Sequence, residues 1–202
     1  MKYVDILINN FPALECVKSE IQTATTLLIN TFAEKNKVLV CGNGGSAADS
    51  EHIAGELMKG FLKKRELSDN DKAKIGENAD KIQYGLPCIP LTSFSALNTA
   101  VINDNSAEMI FAQSVMALGN EKDTLIALST SGNSKNVVYA AKVAKAKGLK
   151  VISITGKKES ELSDISDITI KLPETETYRI QEYTLPVYHA ICADIEEYFY
   201  KN

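Results

Sequence analysis

Along the first thirty-five residues the apolar positions fall in a stripe. Leu7, Phe11, Leu14, Ile21, Leu28 and Phe32 follow one another at intervals of three, four or seven residues, with Lys18 and Thr25 as polar interruptions. That spacing keeps them on one face of a helix. Pro12, just after Asn10, fits the first turn of a fresh helix better than the middle of an unbroken one. Such a stripe suits a helix laid on the chain's own core, and it also suits a helix paired with another subunit.

After residue 36 the rhythm changes. Lys37 to Cys41 is a short apolar run closed by Gly42-Asn43-Gly44-Gly45, and helical spacing follows to about Leu62. Leu86 to Leu91 is a second run. Asp123 to Ser129 is a third, stopped by Thr130-Ser131-Gly132-Asn133 and followed by a lysine- and alanine-rich helix that ends at Gly148. Lys150 to Thr155 and Asp167 to Leu172 read as two more strands, and an amphipathic helix closes the chain from about Tyr178 to Tyr200. Strands alternating with helices imply βαβ units and a parallel sheet. The strands lack polar alternation, as expected when helices cover both faces. The fold class is α/β, a three-layer αβα sandwich of about five parallel strands. Residues 63–85 break the pattern as a charged, polar insertion. A long segment of this kind is a solvated loop or a mobile flap over a site.

The chain has 202 residues, 45% of them hydrophobic and 24% charged, which fits one globular domain over 1–202. No apolar run is long enough to span a bilayer, and the first residues lack the pattern of a secretory leader. The four cysteines form no CxxC pair, which suits reduced thiols in a cytoplasmic protein. A net charge of −4 speaks against nucleic acid as the main partner.

The chemistry gathers at strand ends, where ligands bind in open α/β sheets. The first loop, Cys41-Gly-Asn-Gly-Gly-Ser46, lets the backbone approach a ligand and leads into helix-start amides. The second, Ser129-Thr130-Ser131-Gly132-Asn133-Ser134, gathers hydroxyls at the next helix start. Hydroxyls and helix-start amides can hold a phosphate. Neither loop carries the lysine of a Walker P-loop. Gly42-x-Gly44-x-x-Ala47 matches the dinucleotide fingerprint in form, but no second strand presents an acidic residue about 20 positions on, so no nucleotide cofactor is expected.

There are only two histidines, His52 and His189. His52 and Glu56 are four apart, one turn along one helix face. Gln181 and His189, eight apart in the last helix, share one broad side of it. A histidine that titrates near neutrality and a part-buried carboxylate near a phosphate site suit proton shuttling. The plainer reading is an ion pair at His52 and a satisfied core group at His189.

CGNGGSAADSEHIAGEL, LSTSGNS and RIQEYTLPVYH together resemble the sugar isomerase (SIS) family and, within it, the phosphoheptose isomerases. The resemblance runs from the first helix to the last and implies a flavodoxin-like SIS fold with an added N-terminal helix. It implies interconversion of sedoheptulose 7-phosphate and D-glycero-D-manno-heptose 7-phosphate through an enediol. On it, Asn43, Gly44, Gly45 and Ser46 would touch substrate, as would Asn103 with Asp104, Glu56 and Gln181. Ser129, Thr130, Ser131 and Ser134 would hold the phosphate. Glu56 and His189 match the acid/base pair. His52, Glu56, Gln181 and His189 also match a zinc site of one ion per subunit, and enzymes with and without zinc both remain open. The resemblance further implies a homotetramer, with residues 1–36 as the oligomerisation segment and no nucleic-acid or membrane partner.

The chain departs from the family pattern in three places. Residues 63–85 replace a short Arg-Pro segment, Ser93-Phe94 stand where an Asp is common, and Ile102 replaces the Gly before Asn-Asp. These departures put the sugar in question more than the chemistry. Two alternatives stand beside the isomerase: a non-catalytic SIS protein that senses a phosphosugar, and an isomerase or lyase for another phosphosugar.

Overall fold

The computed structural model describes residues 1–200. Five strands form one parallel sheet in the order β2-β1-β3-β4-β5. They are β1 Val38–Cys41, β2 Cys88–Pro90, β3 Thr124–Leu128, β4 Lys150–Thr155 and β5 Ile168–Lys171. Val38 pairs with both Cys88 and Thr124, so β1 lies between β2 and β3 and the strand order reverses between β1 and β3. Loops after these two strands flank a crevice at the carboxyl edge of the sheet, the expected place for a ligand.

The helices are α1 Lys2–Asn10, α2 Lys18–Ala33, α3 Gly45–Met58, α4 Asp69–Ile75, α5 Ser95–Asp104, α6 Ile110–Leu118, α7 Lys135–Ala146, α8 Glu161–Ile165 and α9 Thr177–Phe199. Alternate strand residues feed two separate cores. Val38, Val40, Ile126, Ile152, Ile154 and Ile170 meet α1, α2, α3 and α9 on one face. Leu39, Cys41, Leu125, Ala127 and Val151 meet α6, α7 and α8 on the other. Both sets are buried, which is why the strands read as continuous apolar runs.

The amino-terminal stripe belongs to the first core. Leu7, Leu14, Ile21, Leu28 and Phe32 are buried against it, and only Phe11 is exposed. Pro12 opens a short 3-10 turn between α1 and α2, where its fixed φ and missing N–H cost nothing. Helix α5 carries no clear periodic stripe and buries only Val101. That weak pattern is why the sequence does not announce α5.

The polar segment 63–85 is more than a solvated loop. Ser68 caps α4 by accepting from the Asp71 amide, Glu66 and Gln83 form an antiparallel bridge, and Arg65 is 1% exposed. Composition hides this, because one buried arginine among many exposed charges leaves no periodic trace. Among the described residues no helix is long and apolar enough to cross a membrane.

Candidate active site

The glycine loop leads from β1 into α3. Gly44 caps the helix at φ +55°, a backbone region that side-chain-bearing residues avoid. A Cβ on Gly45 would lie 2.6 Å from Gln181 Nε2, so this glycine lets α9 bring Gln181 onto the loop. Ser46 is buried in the first turn of α3. The Asn43 side chain is engaged with α7. Its amide and that of Asn136 exchange two hydrogen bonds, of 2.9 and 2.8 Å. The pair ties the glycine loop to the helix that follows the serine loop.

The serine loop splits into two roles. Ser129 is buried, and its hydroxyl donates to Ser134 Oγ at 3.0 Å. Thr130 and Ser131 instead line a cavity of about 300 Å³, shared with Asn133, Lys157, Lys158 and Thr177. The two lysines follow β4 and face the hydroxyls from the neighbouring loop, in a cavity that Glu159 and Glu174 also line. Motif reading misses them because they lie in a different loop. The position rule for α/β sheets was the available signal, since they follow a strand's carboxyl end.

The two histidines meet. His52 and Glu56 on α3 and His189 on α9 offer ligand atoms that all lie within 4.8 Å of one another. His52 Nε2 is 3.0 Å from Glu56 Oε1, and the two imidazole rings stand edge to face at 5.0 Å. Burial, with His52 nearby, holds His189 below the usual histidine range, which favours its neutral form. His189 Nε2 is buried with no hydrogen-bond partner. A buried, unpartnered imidazole nitrogen on a ring close to a carboxylate and a second imidazole fits a metal ligand set. Gln181 lies two turns earlier on α9, at Gly45.

Tyr188 and Asp49 join this cluster unannounced by any motif. The Tyr188 hydroxyl lies 2.8 Å from His52 Nδ1 and 3.3 Å from Asp49 Oδ1. Burial raises both the phenol and the carboxyl above their usual values. Cys41 and Cys192 are buried, and burial pushes each thiol up to about 12, so neither is a nucleophile at neutral pH. Asn103 and Asp104 are not among the residues of the histidine cluster or the lining of the serine-loop cavity. They end α5, exposed, with Asn103 Nδ2 donating to Asp104 Oδ1 at 2.8 Å.

The family model described as the SIS domain matches residues 3–156. The chain belongs to the SIS domain family. It is 37% identical over 191 residues to a phosphoheptose isomerase of Helicobacter pylori (strain P12), covering 94% of this chain and 90% of that one. A solved phosphoheptose isomerase from Francisella tularensis superposes with a TM-score of 0.80 at 30% identity, covering 97% and 95% of the two chains. Another from Neisseria gonorrhoeae gives 0.78 at 30% identity, covering 92% and 90%. The five-stranded parallel sheet with helices on both faces is the SIS fold of these structures. His52 and Glu56 stand on α3, which the glycine loop opens, and His189 stands on α9.

Proposed function

We propose that the chain, a phosphosugar isomerase by its kinship, interconverts sedoheptulose 7-phosphate and D-glycero-D-manno-heptose 7-phosphate. The observation that carries this reading is Glu56 facing two histidines across α3 and α9, on the helix that the glycine loop opens. The phosphate sits in the cavity of Thr130, Ser131, Lys157 and Lys158. The sugar chain runs past Gly44, Gly45 and Gln181 and along α3 towards Glu56.

The chemistry is a proton transfer between neighbouring carbons. Glu56 takes a proton from C1 of the ketose, the C–H electron pair becomes the C1=C2 bond of an enediol, and the carbonyl oxygen on C2 gains a proton. Glu56 then returns its proton to C2, while the C1 hydroxyl loses one and becomes the aldehyde. His189, held neutral by burial, gives its ring N–H proton to the C2 oxygen in the first step and takes one back from the C1 hydroxyl in the second. Oε1 of Glu56 faces His52 and Oε2 faces only Lys59, 4.0 Å away, so one oxygen remains free for the carbon-bound proton.

His52, Glu56 and His189 would hold a zinc ion, while Gln181, the fourth expected ligand, lies against Gly45. When bound, the ion would polarise the sugar oxygens as a Lewis acid. Elemental analysis of untagged protein prepared without chelator measures its presence.

Incubation with sedoheptulose 7-phosphate and detection of the aldose by NMR tests the reaction. Absence of conversion, with thermal stabilisation by the same sugar phosphate, would make the chain a sensor rather than an enzyme. Each proton-transfer role is worth ~10²–10⁴ in rate. Glu56→Gln and His189→Gln are therefore each expected to lose at least about a hundredfold in kcat while retaining a cooperative melt. Near-normal turnover in either variant removes that residue from the chemistry.

A further inference from the structure

His52 is held on both sides of its ring. Nε2 faces Glu56 Oε1 at 3.0 Å, and Nδ1 faces the Tyr188 hydroxyl at 2.8 Å. Tyr188 comes from α9 and is 2% exposed, with its ring edge to face against both His52 and His189. Behind it stands Asp49 Oδ1, 3.3 Å from the same hydroxyl. Asp49 and His52 are three residues apart on α3, so they share a helix face. The row Asp49–Tyr188–His52 thus spans two helices and ends at the group that meets Glu56.

A phenol has one proton to give and can also accept one. This lets the row run in either direction. When Nε2 carries the proton and donates to Glu56, Tyr188 donates to Nδ1. When the Nε2 lone pair is engaged by a cation, the proton moves to Nδ1, Nδ1–H donates to the Tyr188 oxygen, and Tyr188 donates to Asp49. In this second setting every polar hydrogen has an acceptor, and the negative carboxylate lies at the far end from the cation. In both settings the hydroxyl fixes the plane of the ring. Groups one layer out from a metal commonly orient a ligating histidine through its other nitrogen. Here a phenol stands between the histidine and its carboxylate.

We propose that Tyr188 and Asp49 are positioning residues for His52, turning its Nε2 into the space shared with Glu56 and His189 and supporting it there as a metal ligand. The metal part of this inference rests on the reading of that cluster given above; the orientation of the ring does not.

The full untagged chain has only two histidines, so ¹⁵N imidazole spectra contain two spin systems, and the His189→Gln variant assigns them. Wild type, Tyr188→Phe and Asp49→Asn are compared, first in zinc affinity by competition with a chromogenic chelator. Both variants are expected to bind zinc roughly ten- to hundredfold more weakly. Zinc-loaded wild type is expected to show His52 bound through Nε2 with hydrogen on Nδ1. Affinities within twofold of wild type, or His52 bound through Nδ1, overturn the proposal.

If wild type itself takes up no zinc, the metal reading of the cluster falls, and the orienting role is judged on the metal-free spectra. It holds if Tyr188→Phe moves the His52 Nδ1 resonance well beyond any change at His189, and it fails if that resonance stays in place. Should Tyr188→Phe not fold, Asp49→Asn, which keeps size and shape, carries the affinity comparison and the zinc-loaded spectra.

Discussion

Thr130 and Ser131 have hydroxyls to offer a phosphate but no charge, and Lys157 and Lys158 supply it from the neighbouring loop. A charge-assisted hydrogen bond contributes about 1.5–3 kcal/mol, and about 1.4 kcal/mol is tenfold in affinity. The double variant Lys157→Met, Lys158→Met is expected to raise KM for the sugar phosphate about tenfold with little change in kcat. That is the signature of binding energy present equally in ground and transition states. Steady-state kinetics decide it, and an unchanged KM would leave the hydroxyls and helix-start amides as the whole anion site. These residues also mark what a sequence reveals at this scale. Ser129 to Ser134 are adjacent in the chain and form a motif, so the loop is legible as an anion site. The lysines and Tyr188 are brought in by other elements, and adjacency along the chain does not encode them.

Between elements, the position of Glu56 relative to His189 depends on how α3 sits against α9. A buried ion pair fastens the two. Arg65 Nε lies 2.8 Å from Glu196 Oε1, and its side-chain relative exposure is 0% against 1% for Glu196. The guanidinium also donates to the carbonyls of Glu56 and Leu57 at the end of α3, at 2.9 and 2.5 Å. Glu196, on α9, further accepts from the amides of Phe61, Leu62 and Lys63. Removing one partner of a buried pair costs about 3–5 kcal/mol, because the other charge is left uncompensated. Arg65→Met is expected near the lower end, about 3 kcal/mol by urea unfolding, since three backbone amides still face Glu196. A loss under about 1 kcal/mol would mean that the amides alone satisfy the carboxylate. The strands and the long helices are legible because period and length announce them. Arg65 is not, because its neighbours Lys63, Lys64 and Glu66 are charged too and only the fold selects which one is buried.

At the scale of the whole molecule, α5 is a helix that the single chain barely covers. Leu97 and Ile102 are 36% and 49% exposed, and Val101 is its only buried residue. At its end Asn103 and Asp104 bond to each other, and neither belongs to the histidine cluster or lines the serine-loop cavity. We expect α5 to lie at a subunit contact in which Asn103 and Asp104 serve a neighbour's site. Sequence patterning separates a core helix from a surface one, but it does not say whether an exposed apolar residue faces water or another copy. The distinction can be made by complementation. Glu56→Gln lacks the carbon acid/base, and Asp104→Ala lacks the exposed carboxylate, so each alone should be nearly inactive. If sites are built from two subunits, a mixed oligomer contains some sites with both wild-type residues, and co-expression restores part of the activity. If each site is built within one chain, every site carries one defect or the other, and co-expression restores nothing. Sedimentation of Ile102→Glu provides the matching physical measurement: a smaller assembly than wild type is expected, because a buried unpaired carboxylate at a contact is strongly unfavourable. An unchanged mass would put the contact elsewhere on the surface and return Asn103 and Asp104 to their own chain.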